Sequence, residues 1–229
     1  MLLSCHTPNK QKTAASTPGS QTDTVKGTYG YDMAFLKAHK MEFVELSDGS
    51  GKARLLISPA LQGRVMTSSA NGAAGKSFGW INYKFIQSGK VSSQFNPYGG
   101  EERFWMGPEG GPFSIYFPEG KDQVFENWKV PSVIDTDPFE IKSQSGRKIE
   151  LVKSAILKNT SGTEFKLAIH RKVTLLTNDT LESLFHVKFP KSIQTVAYQS
   201  ENSITNQGEK AWSRKDGLLS VWMLSMFNP

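Results

Sequence analysis

Thirteen residues near the middle of the chain, Gly99 to Gly111, read GGEERFWMGPEGG. They crowd three carboxylates (Glu101, Glu102, Glu109), a guanidinium (Arg103) and an indole (Trp105) among glycines. Glycine permits tight turns and close backbone approach. Carboxylates, guanidinium and indole are groups that orient polar ligands. If Glu101 to Met106 is extended, Glu101, Arg103 and Trp105 share one face, and Glu102, Phe104 and Met106 share the other. The first face suits a sugar: an indole covers the apolar side of a pyranose, while Glu and Arg bond its hydroxyls in fixed geometry. Pro108 to Gly111 then turns the chain and presents Glu109. A salt-bridged corner that closes a β-sandwich fits the same residue types, and buried pairs of that sort occur without function. Composition does not separate the two readings.

Other reactive groups are sparse. The histidines are His6, His39, His170 and His186, with neither HxH nor HxxxH spacing, so no metal site is expected. Of these, His170 is the catalytic candidate, because the strand face it occupies is polar. A nucleophile elbow GxSxG and a phosphate loop GxxxxGK[ST] are both missing, and no cofactor is expected. Asp135-Thr136-Asp137 lacks the rest of a calcium loop and reads as solvated turn acids. The single cysteine, Cys5, excludes an internal disulfide framework. It ends the run Leu2-Leu3-Ser4-Cys5, which fits a bacterial lipobox, where cleavage precedes a cysteine that is then lipidated. The alternative is an ordinary cysteine in a loose terminus. Residues 6 to 28 are polar and rich in Ser, Thr, Pro and Gly, a composition that cannot offset chain entropy. Residues 1–28 therefore read as a lipobox remnant with a flexible tether, and residues 29–229 as the folded domain. The expected location is the bacterial cell envelope, lipid-anchored in the periplasm or at the outer membrane.

These side chains need a scaffold, and 229 residues with 38% hydrophobic content can build a sizeable core. The net charge of +6 is spread out. Lys10 to Lys12, Arg147-Lys148 and His170-Arg171-Lys172 are short, and no basic run interleaves with aromatics, which argues against nucleic acid. No stretch of apolar residues is long enough for a transmembrane helix. Tyr31 to Lys40 predicts a helix, with Asp32 as its N-terminal acid. Met41 to Ser47 and Ala53 to Ser58, joined by Asp48-Gly49-Ser50-Gly51, predict a hairpin. Further strands are expected over 63–68, 78–83, 113–117, 139–143, 148–159, 164–176, 180–189 and 195–201. In 164–176, Phe165, Leu167, Ile169, Val173 and Leu175 alternate with Glu164, Lys166, His170, Lys172 and Thr174, so one face is buried. Asn178-Asp179 reads as a turn, and no useful helical period follows residue 40. The pattern implies a large antiparallel β-sandwich. Gly217 to Phe227 is apolar and strand-like, and implies more strands beyond Pro229 in the natural protein.

Three segments carry a family resemblance: ISPALQGRVMTSS (57–69), FGWINY (78–83) and NPYGGEERFWMGPEGGPFSIYF (96–117). With ENSITNQGEKAW (201–212) and GLLSVWMLSMFNP (217–229), they resemble the galactose mutarotase-like superfamily, and more closely a bacterial lipoprotein family within it. The resemblance covers roughly residues 30 to 229. It implies an all-β antiparallel supersandwich, here incomplete, with a sugar cleft across one concave sheet. In the superfamily's aldose 1-epimerases, a Glu takes the proton of the anomeric hydroxyl and a His protonates the ring oxygen. Gly99-Gly100 resembles the family's Gly-Gly motif. Arg64 and Arg103 are the candidates for its sugar-holding Arg, and His170, with His186 competing, for its strand-borne acid. Where the epimerases carry a histidine beside Gly-Gly, this chain has Glu101 and Glu102. The resemblance thus implies a carbohydrate partner and an isomerase-type site of Glu101 and His170, with Arg64, Glu102, Arg103, Trp105 and Glu109 holding the sugar. A non-catalytic glycan-binding protein or a structural lipoprotein domain are the alternatives.

Overall fold

The computed structural model describes residues 25–229. Cys5, His6 and most of the expected tether lie outside the described residues. Residues Gly27 and Thr28 already belong to the domain: the Gly27 carbonyl accepts from Ser77 N, and Thr28 bridges Lys76. Thr28 also caps the first helix, α1 (Tyr29–Ala38), accepting from Tyr31 N at 3.4 Å. Asp32 is not a solvent-facing helix-end acid. It is buried and takes hydrogen bonds from Ser77 and Tyr83.

Two antiparallel sheets follow, and the chain is an all-β sandwich. The first has the order β1-β2-β3-β4-β9, comprising β1 (Val44–Ser47), β2 (Arg54–Ser58), β3 (Arg64–Ser69), β4 (Glu102–Gly107) and β9 (Ser220–Ser225). The second has the order β5-β6-β7-β8, comprising β5 (Glu140–Gln144), β6 (Lys148–Lys158), β7 (Glu164–Leu175) and β8 (Tyr198–Asn206). The expected hairpin forms, with Leu46 opposite Leu55. β7 pairs along its length with both β6 and β8, and its buried positions recur every second residue from Phe165 to Leu175. Leu55, Ile57, Val65 and Phe104 from one sheet meet Leu151, Leu167, Ile169 and Val173 from the other in one core. Each such side chain contributes about 1.5–3 kcal/mol when fully buried.

Three expected strands are absent. Segment 78–83 makes isolated bridges, Gly79 to Phe227 and Ile81 to Gly99, then enters the short helix α2 (Tyr83–Gln87). It crosses β3 rather than lying along it: a Cβ at Gly79 would run into the backbone of Met66 and Thr67. Segment 113–117 folds back over β4, with Ile115 N bonded to Pro108 O at 3.1 Å and the Tyr116 hydroxyl to Met106 O at 2.6 Å. Segment 180–189 begins inside a helix, α3 (Asn178–Phe185). Thr177 caps it, accepting from Thr180 N at 3.1 Å, Asp179 complements the first turn, and His186 closes it in the left-handed region. Asn178-Asp179 is therefore a helix start, not a turn.

Candidate functional site

β4 is central to the expected site, with β3 and β9 on either side. Gly99 and Gly100 lead into it with φ of 89° and 118°, values that strain any residue with a Cβ. They swing the chain so that Gly100 N reaches Trp80 O at 2.7 Å and Glu101 N reaches Met66 O at 3.1 Å. Regular alternation starts only at Glu102. Arg103 and Trp105 share a face as expected, the guanidinium carbon lying 4.3 Å from the Trp105 ring centroid. Glu101 does not join them. Its carboxyl turns to Ser68 of β3, accepting from Oγ at 2.8 Å, and stands against the Tyr198 phenol of β8.

The Arg103–Trp105 face is consumed by the protein itself. Arg103 is buried and donates to Ile134 O at 2.6 Å and Asp135 Oδ1 at 3.4 Å. Burial pulls its guanidinium down to about 10, with Asp135 holding it up, so it remains a cation at neutral pH. Trp105 donates to Glu109 Oε1 at 2.6 Å and packs between Phe95, Tyr116 and Trp222. Arg64 is fully buried, donating to Gly99 O at 2.8 Å and Gln62 Oε1 at 3.0 Å. It holds the turn rather than facing a ligand. Asp135 is no solvated turn acid: it is buried and also accepts from Asn96 Nδ2 at 2.7 Å.

Glu102 points between the sheets, where it pairs with Arg171 of β7 and accepts from Ser200 Oγ at 3.0 Å. Arg171 donates further to Asn202 Oδ1 at 2.7 Å and Gly63 O at 3.0 Å. The strand alternation carried a signal for it: position 171 falls on the apolar face between Ile169 and Val173. His170, one residue away, faces the other side. It is half-exposed, with Nε2 4.0 Å from Glu150 Oε2 on the outer surface of the second sheet. The structure does not bring His170 to Glu101, and the expected acid–base pair of the two does not form. His186 is the helix cap of α3.

Glu101 lines a cleft of about 440 Å³. Ser68 and Glu101 lie at its polar end, Leu181 and Phe185 of α3 form a wall, and Thr195 and Phe227 complete the rim. Phe185 and Phe227 are 66% and 60% exposed, so both rings face solvent. Glu101 is 2% exposed, and its Oε2 has no hydrogen-bond partner. Desolvation raises its pKa, the Ser68 and Tyr198 hydroxyls beside it oppose this, and the neighbouring Glu102 raises it further. Burial, then Glu101 and Glu102, push the Tyr198 phenol up as well, so it stays protonated. The cleft thus carries a carboxyl held toward its neutral form beside apolar ring faces. The cleft is not legible in the residues alone, because 180–189 predicts a strand where α3 forms its wall. Among the described residues no cluster of His, Cys, Asp and Glu could hold a metal ion, and no helix is long and apolar enough to cross a membrane.

A family model described as "Family of unknown function (DUF6786)" matches residues 27–229. No curated protein matches the chain. Among solved structures, the Slr1438 protein from Synechocystis sp. PCC 6803 is similar at 17% identity and a TM-score of 0.38. The match covers 60% of this chain and 45% of that one, so the chain spans less than half the length of that structure.

Proposed function

The chain belongs to this DUF6786 family of unknown function, and we propose that it is a carbohydrate-binding protein of the galactose mutarotase-like kind that takes its sugar over Glu101. The observation that carries the reading is the Glu101 carboxyl, buried with Oε2 unpartnered in a cleft that the exposed Phe185 and Phe227 also line. An unpaired buried polar group costs about 1–3 kcal/mol, which a ligand hydroxyl bonded to it would recover. Aromatic rings at the rim supply the apolar contact that a pyranose face needs. Binding fits this geometry better than ring-opening epimerisation. Epimerisation needs an acid and a base on opposite sides of the reacting atoms. Glu101 is the one titratable side chain among the described residues that line the cleft. Attachment to a bacterial membrane through Cys5 is part of the same proposal and rests on the Leu-Leu-Ser-Cys run.

The test is a screen of wild-type protein on a glycan array, followed by calorimetric titration of the hits. Glu101→Leu is expected to weaken the tightest hit by about 1–3 kcal/mol, about 5- to 150-fold in Kd, with the melting temperature checked in parallel. A wild-type protein that binds no glycan, or a Glu101→Leu protein that is folded and binds undiminished, would overturn the proposal.

A further inference from the structure

The cleft over Glu101 does not end at Thr195. A second cleft of about 390 Å³ opens from it, and the two share Ala70, Gln194 and Thr195 as a common saddle. Both volumes fall in the range of about 300–1,000 Å³ typical of small-ligand sites. Their chemistry differs. The first is walled by phenylalanine rings and Leu181, with Glu101 and Ser68 at one end. The second is polar, lined by Lys52, Arg147 and Lys191 together with Asp48 and Asp179. Several of these groups are already engaged: Asp48 accepts from Ser50 Oγ and Lys52 N, and Arg147 donates to Leu175 O. The Lys52 and Lys191 ammonium groups form no hydrogen bond or ion pair among the described residues, and both residues are exposed.

We infer that the site takes an oligosaccharide of at least two units, one ring over Glu101 and the next across the Ala70–Thr195 saddle among Lys52 and Lys191. This rests on the reading of the Glu101 cleft as a sugar site. A single sugar ring over Glu101 occupies part of the first cleft and none of the second. A glycosidic chain continues through the saddle and meets donors suited to ring hydroxyls or a sugar carboxylate. The structure therefore selects for chain length as well as for sugar type.

The experiment is calorimetric titration of the protein with glucose and galactose and with their α-1,4- and β-1,4-linked oligomers of two to four units, and with galacturonic acid and its α-1,4-linked dimer. The expected result is that an oligomer binds at least about tenfold tighter than its monomer. The Lys52→Ala/Lys191→Ala variant is expected to lose that advantage while binding the monomer as before. Because the two lysines are exposed, their variant is expected to fold as the wild type does, which a melting curve checks. Equal affinity for monomer and oligomer, or an oligomer advantage that survives the lysine substitutions, overturns the inference and leaves the Glu101 sugar site standing. No binding by any probe overturns both.

Discussion

Arg171 carries its charge into the middle of the sandwich because β4 and β8 both bring it acceptors. Glu102 pairs with it, Asn202 Oδ1 accepts at 2.7 Å, and Gly63 O accepts at 3.0 Å from a turn in the first sheet. Desolvating two charges is costly, so such a pair contributes little net stability, yet breaking it leaves one charge unpaired in the core. Arg171→Met is expected to destabilise the domain by about 3–5 kcal/mol, read by chemical denaturation. Adding Glu102→Leu to that variant should recover most of the loss, since no buried charge is then orphaned. A double variant as unstable as the single one would show that the pair is not the reason for the loss. Glu101, one residue earlier, is the contrasting case: its carboxyl keeps one oxygen without a partner, as do Arg64 and Arg103 at Nε, but Glu101 lines a cleft.

At the scale of elements, the entry to β4 decides where the carboxylates point. Gly100 has a φ of 118°, and a Cβ there would meet Arg64 Cγ at 2.9 Å. Gly100→Ala is expected to cost more than about 1–2 kcal/mol, the penalty of the left-handed region alone, because Arg64 cannot retreat from its bonds to Gly99 and Gln62. Gly49→Ala, where nothing lies within 4 Å, is the control and should change stability by less than about 0.5 kcal/mol. Thermal melting of the two variants checks this; equal losses would remove the argument for the Gly-Gly turn. α3 matters for the same reason. Its eight residues place Leu181, Leu184 and Phe185 at helical spacing, a signal confined to two turns, and of the three only Leu181 is buried. The Thr177-x-x-Thr180 spacing of its cap is a second local signal.

The whole molecule couples these groups to pH. Asp32 and Glu101 both have carboxyl pKa values raised, first by desolvation. A group raised on folding stabilises the native state fully below its unfolded value and loses that contribution as pH rises through its folded value. Glu101 is faced by Glu102 of its own strand, the Tyr198 phenol of β8 and, more distantly, Tyr29 of α1, and Arg171 lies across from Glu102. Stability is therefore expected to fall as pH climbs from the ordinary carboxylate range through the raised values of the two acids. The Asp32→Asn/Glu101→Gln variant should flatten that fall in denaturant titrations run across pH. The exposed pairs Lys148–Glu150 and Lys188–Glu182 act in the opposite direction, their carboxylates being lowered, but solvent screening keeps their contributions small. A stability profile that rises steadily with pH in the wild type would contradict the account.

Period-two alternation from Phe165 to Leu175, the turn at Asp48 to Gly51 and the helix after Thr28 were legible in the residues, because each depends on neighbours within a few positions. On that local information alone the chain is an antiparallel β protein, with Arg103 and Trp105 on one strand face. The strands expected at 78–83 and 113–117 do not form because a short apolar run is held there by distant contacts, whereas 180–189 begins in α3, which its own cap and apolar spacing start. The fate of each charge was decided only in three dimensions. Arg103 met Asp135, Glu102 met Arg171, His170 turned outward, and Glu101 alone among the expected carboxylates kept a free oxygen at a cleft. Residue type sets what a side chain can bond. Which partner it meets depends on strands far apart in the chain being packed together.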